Sequence, residues 1–372
     1  MIMDDKAKNT KLIAYYLPQF HEIEENNKWW GKGFTEWNNT KKARPLYHGH
    51  YQPKIPLHEN YYDLADSKVM EMQSQTAKKY GIYGFCFYHY WFGGKKLLEK
   101  PVEDLLNNLG IDINFCLMWA NEPWTRTWNG VAGSKNILID QEYGSENEWK
   151  EHFLYLLPFF KDHRYICHKG NPVFLIYKAI DIPNCNAMLE YWNALSLQYG
   201  FNGIHFIQAD TAKGYDKKSK MFDAVVEFEP RKSVSEIIDI RWSSSIRNLV
   251  YPLRKLPLIA RHYYLQRNYD EIYKNILERK YKRISKKVYM GAFVDWDNTA
   301  RRGADGEVFY GASPQKFEAY MTKLIELSNK AENDFLFINA WNEWAEGAYL
   351  EPDEKYGYAY LHAIRRALRN NK

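Results

Sequence analysis

Asp334-Phe335-Leu336-Phe337-Ile338-Asn339-Ala340-Trp341, continuing into Asn342-Glu343-Trp344-Ala345-Glu346-Gly347, is the stretch from which the fold can be read. Its first half is a nearly unbroken apolar run, short enough for a strand and too short for a membrane span. Such a run suits a parallel strand buried on both faces. Its second half places two tryptophans, an amide and two carboxylates where that strand stops.

Working outward, the same kind of run recurs at Lys11–Phe20, Gly81–Trp91, Asn114–Trp119, Pro172–Lys178, Gly203–Asp210, Ala224–Glu229 and Val288–Asp295. Helix-like stretches lie between most of them: Ala65–Tyr80, Pro101–Leu109, Glu146–Lys161, Ala187–Tyr199, Pro314–Ala331 and Tyr358–Leu368. Tyr80-Gly81 supplies a helix stop just before the second strand. Strands alternating with helices predict a parallel α/β fold, and eight units predict a closed (β/α)8 TIM barrel. No G-x-G-x-x-G follows the first strand, which argues against a dinucleotide site. A single domain over residues 1–372 is expected, with insertions at about 22–60 and 231–287.

The bulk composition fits a globular chain of 372 residues, 45% hydrophobic and 26% charged, large enough to bury its own core. Aromatic content is 17%, with 13 Trp and 30 Tyr, and such rings stack on sugar C–H faces while offering a polar edge. The four cysteines, Cys86, Cys116, Cys167 and Cys185, have no paired spacing, so free thiols are expected. Met1 to Lys11 is polar and lacks an apolar signal core, and no apolar run approaches a membrane span. A cytoplasmic location follows as the expectation.

The net charge of +5 is unevenly placed: Arg231 to Lys287 holds 15 Lys and Arg against 5 Asp and Glu. A segment of that kind reads as contact with phosphate or an anionic membrane surface, here the inner membrane. The alternative is a solvated helical face. No nucleic-acid partner is expected.

In a (β/α)8 barrel the active site forms where strands end and loops begin. Those ends carry Tyr16 and His21; His89, Tyr90 and Trp91; Trp119, Asn121, Glu122 and Trp124; Gln208 and Asp210; Glu227 and Glu229; Asp295, Trp296 and Asp297; and Trp341, Asn342, Glu343 and Glu346. Glycosidic cleavage needs one carboxyl to protonate the leaving oxygen and a second as base or nucleophile. Glu343 and Glu346 are the candidate pair. Residues three apart on an extended strand point to opposite faces. Both can therefore enter one pocket only if the chain turns after Glu343, and Ala345 and Gly347 are small enough to allow it. Glu122, Glu227, Asp295, Trp119, Trp341 and His89 are expected to converge on the same pocket, although Glu122 could equally be an ion-pair partner. His21, His48, His50, His58 and His89 show no ligand spacing such as H-E-x-x-H, so neither a metal nor a cofactor is expected. No G-x-S-x-G marks a serine nucleophile.

Ala14 to His21, Trp30-Gly31-Lys32-Gly33-Phe34-Thr35-Glu36-Trp37, Gly81 to Trp91, Trp119 to Trp124, and Trp341 to Gly347 with Tyr349 to Pro352 together resemble the WbsX-like family. Its members are described as lipopolysaccharide-biosynthesis glycosyltransferase-like, and as similar to glycoside hydrolase family 99. The resemblance spans residues about 12 to 365 and adds Glu36 and Trp37 to the substrate-binding candidates. Family 99 implies a retaining, endo-acting α-mannosidase or mannanase on a (β/α)8 barrel. By that match Glu343 would deprotonate the sugar's 2-hydroxyl, which attacks the anomeric carbon, and Glu346 would be the acid/base. The sequence departs from those hydrolases, which resemble E-W-H-E, by carrying Ala345, and by its basic insertion.

Three functions are therefore in view. The first is an endo-acting hydrolase of a bacterial mannan-, rhamnan- or O-antigen-like polysaccharide. The second is a glycosyltransferase extending a lipid-linked surface polysaccharide, with the basic segment at the membrane and Asp295-Trp296-Asp297 as a metal-binding option. The third is a non-catalytic glycan-binding barrel.

Overall fold

The computed structural model describes residues 9–126, 136–211, 216–217, 219–241, 266–279 and 286–371. Its centre is a ring of strands: β1 (Lys11–Tyr16), β2 (Gly84–Phe92), β3 (Asn114–Trp119), β4 (Asn171–Ile176), β5 (His205–Asp210), β6 (Ala224–Glu227), β7 (Lys287–Phe293) and β8 (Phe335–Asn339). They pair in parallel in the order β1-β8-β7-β6-β5-β4-β3-β2, and β2 pairs back onto β1 to close the ring. The fold is the expected (β/α)8 barrel. Each barrel strand coincides with one of the apolar runs read from the sequence.

Helices follow in the order α1 (Glu24–Trp30), α2 (Glu36–Lys42), α3 (Ser67–Tyr80), α4 (Lys100–Asn107), α5 (Glu146–Lys161), α6 (Cys185–Gln198), α7 (Arg231–Arg241), α8 (Tyr269–Glu278), α9 (Thr299–Arg302), α10 (Pro314–Lys330) and α11 (Ala359–Arg369). Local chemistry sets their ends. The Asp66 carboxylate accepts the Lys68 N–H at 3.0 Å to start α3, and Gly81, at φ +96°, stops it in the left-handed region. Ser145 and Glu148 cap α5 reciprocally, the Ser145 N–H reaching the Glu148 carboxylate at 2.9 Å.

Alternation along the strands decides what reaches the barrel mouth. On β2, His89 faces outward, its Nε2 2.8 Å from Nε2 of His152 on α5, and the Trp91 ring lies flat on His152 at 4.4 Å. Tyr88 faces inward, 6.0 Å from the Tyr15 ring. On β1, Tyr16 donates outward to Gln73 of α3 at 2.6 Å, while Tyr15 meets Phe228 and Phe337 inside the barrel.

The described parts of the basic excursion turn several cations inward. Arg279 pairs with Glu227 at 2.9 Å, Glu229 at 2.8 Å and Glu236 at 3.0 Å. Lys232 pairs with Asp210 at 2.6 Å and Glu227 at 3.1 Å, and Arg267 pairs with Glu307. These charges anchor α7 and α8 to the barrel instead of facing a membrane. Arg247, Arg254, Lys255 and Arg261 lie outside the described residues. Among the described residues no helix is long and apolar enough to cross a membrane.

Candidate active site

After β8 the chain turns as the small residues allow. Asn342–Glu343 pairs antiparallel with Ala348–Tyr349, and Trp344–Glu346 forms a single 3-10 turn between them. Gly347 closes it at φ +66°, where a Cβ would lie 3.0 Å from the backbone nitrogen of Asp297. The bend puts Glu343 and Glu346 on one side of the chain.

Both carboxylates meet one guanidinium. Arg301 on α9 places Nη2 2.9 Å from Glu343, Nη1 2.6 Å from Glu346 and Nε 2.7 Å from Glu36 of α2. Glu36, Glu343 and Arg301 are buried, and Glu346 is half-buried. Three carboxylates around one cation cannot all ionise without cost. Burial, opposed by Arg301 and reinforced by Glu346 and Glu36, pushes the Glu343 carboxyl up to about 8. The pair can thus hold a proton at neutral pH, which acid–base work requires.

Tyrosines wall the same mouth. Burial and then the charge of Glu343 hold the phenols of Tyr88 and Tyr90 well above their ordinary range. Tyr177, just past β4, also feels the charges of Glu346 and Glu343, and Arg231 at the start of α7 feels those of Glu122 and Glu346. Glu122 itself pairs with Lys178 at 2.6 Å.

The expected convergence on one pocket is only partial. Glu36, Tyr90, Glu343 and Glu346 come together, with Glu122 on the rim. His89 does not join them: it faces α5, and burial drives its imidazole down to about 3, so it stays neutral. Tyr16 is turned to α3 by strand parity. Trp119 shares the outward face with His89 in register and donates Nε1–H to the Trp91 carbonyl at 3.1 Å. Glu227 is fully buried in the Arg279 and Lys232 ion pairs. Asn121 ties the loop after β3 to both the N–H and C=O of Lys178, each at 2.8 Å. Asn342 does the same for Leu17, at 2.8 and 3.0 Å. Trp37 donates to the Tyr62 carbonyl and packs on Trp344; Trp124 packs on Tyr90; Trp341 packs on Phe85, an outward ring of β2.

The D-W-D stretch is occupied by the protein's own groups. Asp297 accepts from His50 Nε2 at 2.9 Å and Gln52 Nε2 at 2.7 Å, and from Thr299. The Leu46 N–H on His50 Nδ1, at 3.0 Å, fixes the tautomer that donates from Nε2. Asp295 faces the Lys54 ammonium at 3.8 Å, and the Trp296 ring packs near Phe309. Among the described residues no group of three or more His, Cys, Asp or Glu side chains could hold a metal ion.

Arg301, Tyr88 and Tyr177 were not singled out from the sequence. Tyr88 lies on a strand buried on both faces, so no sequence signal marks it as the inward neighbour of His89. Arg301 sits in Thr299-Ala300-Arg301-Arg302, which matches no motif, so only the folded chain exposes its role.

Fold and mouth together define a (β/α)8-barrel protein with paired carboxylates at the C-terminal ends of its strands. The chain matches the family model described as Glycosyltransferase WbsX over residues 12–364, and it belongs to that family. It is 35% identical over 360 residues to the uncharacterized protein WxcX of Xanthomonas campestris pv. campestris, covering 96% of this chain and 49% of that one. The WxcX protein of strain B100 matches equally. The chain thus spans about half the length of the curated relatives it matches. Among solved structures, a glycoside hydrolase-like protein aligns with TM-score 0.59 at 12% identity, over 97% of this chain and 94% of that one. The GH99 endo-alpha-mannosidase from Bacteroides thetaiotaomicron aligns with TM-score 0.55 at 13% identity, over 97% and 96%. At such identities the likeness speaks for the fold.

Proposed function

We propose that this protein is a retaining, endo-acting glycoside hydrolase of a bacterial mannan-, rhamnan- or O-antigen-like polysaccharide, with Glu343 and Glu346 as its working pair. The observation that carries this reading is the pair itself, held side by side by Arg301 in a tyrosine-walled barrel mouth. In the first step Glu343 takes the proton of the sugar's 2-hydroxyl, whose oxygen attacks the anomeric carbon. The glycosidic C–O bond breaks as Glu346 protonates the leaving oxygen. In the second step Glu346 takes a proton from water, whose oxygen opens the epoxide at the anomeric carbon, and Glu343 returns its proton to the 2-oxygen. Configuration is retained because the anomeric carbon is attacked twice. The proton that the resting pair holds on buried Glu343 must lie on Glu346 when the glycan is bound, leaving Glu343 ionised; its high proton affinity then makes it the stronger base.

Incubation with a panel of bacterial polysaccharides should release new reducing ends. Glu343→Gln and Glu346→Gln should each lower that rate by about 10²–10⁴-fold or more while far-UV dichroism stays unchanged. A 2-deoxy substrate should bind without reacting. Wild-type turnover in Glu346→Gln would remove this reading and place the chemistry on other residues; release of no reducing ends from any polysaccharide would leave a glycan-binding barrel. The second reading, transfer of a sugar onto a lipid-linked acceptor, is favoured by the family's description. Product elongation from an activated donor, without hydrolysis, would select it.

A further inference from the structure

The guanidinium of Arg301 is gripped from two directions. Its terminal nitrogens reach Glu343 and Glu346, while Nε meets Glu36 from α2. Glu36 has no exposed surface, and its Oε2 has no hydrogen-bond partner among the described residues, so Arg301 is its main counter-charge. A planar fork held at all three nitrogens cannot rotate, and it fixes the spacing of whatever its outer nitrogens hold.

This grip requires α2, α9 and the 344–346 turn to approach closely, and all three are in mutual contact. Where they meet, Ala43, Ala300 and Ala345 form a small buried cluster of their own. Ala43 ends the helix that carries Glu36, Ala300 precedes Arg301, and Ala345 lies between the paired glutamates. Nothing larger than a methyl group separates the three elements at that point. A longer side chain at 345 would push α9 and α2 outward and draw Arg301 off the pair.

We propose that Arg301, braced by Glu36, is the positioning residue of the Glu343/Glu346 pair, and that alanine at position 345 is what admits it. The proposal rests on the reading of that pair as the working carboxylates. The charges facing the pair give it a signature that packing alone lacks. Around Glu343 stand Arg301, Glu346 and Glu36, with the phenols of Tyr88, Tyr90 and Tyr177; Arg231 lies toward Glu346, and Lys42 toward Glu36. Arg301 favours ionised carboxylates and Glu36 opposes ionisation. Removing one or the other must therefore move Glu343 in opposite directions.

The test is a carbon-detected NMR titration of the intact chain labelled at the glutamate carboxyls, with Glu343→Gln and Glu346→Gln assigning the resonances. Arg301→Gln should raise the titration of Glu343 and Glu36→Gln should lower it, each by about 1–3 pH units. Ala345→Leu should reproduce the Arg301→Gln pattern, and Arg301→Lys should return part of the way toward wild type. If Arg301→Gln does not fold, Glu36→Gln, nearly identical in shape, and Arg301→Lys carry the test. Shifts of the same sign, or a folded Glu36→Gln with unmoved titrations, overturn the proposal. The titration uses no glycan, so the two readings fail separately. Opposite shifts in a protein that cleaves no glycan keep the clamp and remove the hydrolase; glycan cleavage with unmoved titrations does the reverse.

Discussion

Replacing Glu351 with glutamine should make the protein's stability less sensitive to alkali. Glu351 lies under the active-site turn, where one oxygen accepts from Trp344 Nε1 at 2.6 Å and from the Tyr62 hydroxyl at 2.9 Å. The other accepts from Gln73 Nε2 at 2.6 Å. Despite these donors, burial pushes its carboxyl from an ordinary 4.5 up to about 7. A carboxyl raised by folding contributes stability that is full below about pH 4.5 and is lost as pH rises through about 7. At 1.36 kcal/mol per unit, the difference between 4.5 and about 7 amounts to about 3 kcal/mol. The amide of Glu351→Gln can replace the acid if Gln73 flips, because the Tyr16 hydroxyl that now donates to Gln73 can accept instead. Reversible urea unfolding followed by tryptophan fluorescence at about pH 5 and about pH 8 measures the effect. Wild type should lose about 3 kcal/mol more than the variant between those values. Glu343 is also raised by burial and acts in the same direction in both proteins, so it drops out of the comparison. Equal losses would show that Glu351 is already ionised in the fold and would refute the reasoning.

Arg279→Met should cost about 3–5 kcal/mol in the same unfolding assay, since it removes the buried guanidinium that pairs with both Glu229 and Glu227. Neutralising Arg247, Arg254, Lys255 and Arg261 should abolish cosedimentation with vesicles rich in anionic lipid, and wild-type binding should weaken as salt is raised.

The barrel was legible because each strand is a compact apolar run that ends near a helix cap or a turn, so local propensity and global fold agree. The Glu343/Glu346 pair was legible for a similar reason: Ala345 and Gly347 announce the bend that unites them. The misplacing of Tyr16 and His89 has one cause. Both faces of a barrel strand are apolar, so Tyr15 and Tyr16, or Tyr88 and His89, look alike in sequence, and only the helix behind each strand tells inward from outward. His152 on α5 captures His89, and Gln73 on α3 captures Tyr16. Arg301 was hidden for another reason. Its three partners come from positions 36, 343 and 346, and no local pattern encodes contacts that distant.

Closure of the ring through β1 and β8 has a consequence for the protein as it is being made. Thr10 bonds the Asn333 carbonyl across 323 positions of chain, beside the β1–β8 ladder. At about 5–20 residues per second of synthesis, β1 leaves the ribosome on the order of tens of seconds before β8 exists to cover it. Throughout that time one edge of an apolar strand has no neighbour, open to any other unpaired strand nearby. Expression at lowered temperature, or with chaperones that shield nascent strands, should therefore raise the soluble yield more than any change at the barrel's surface.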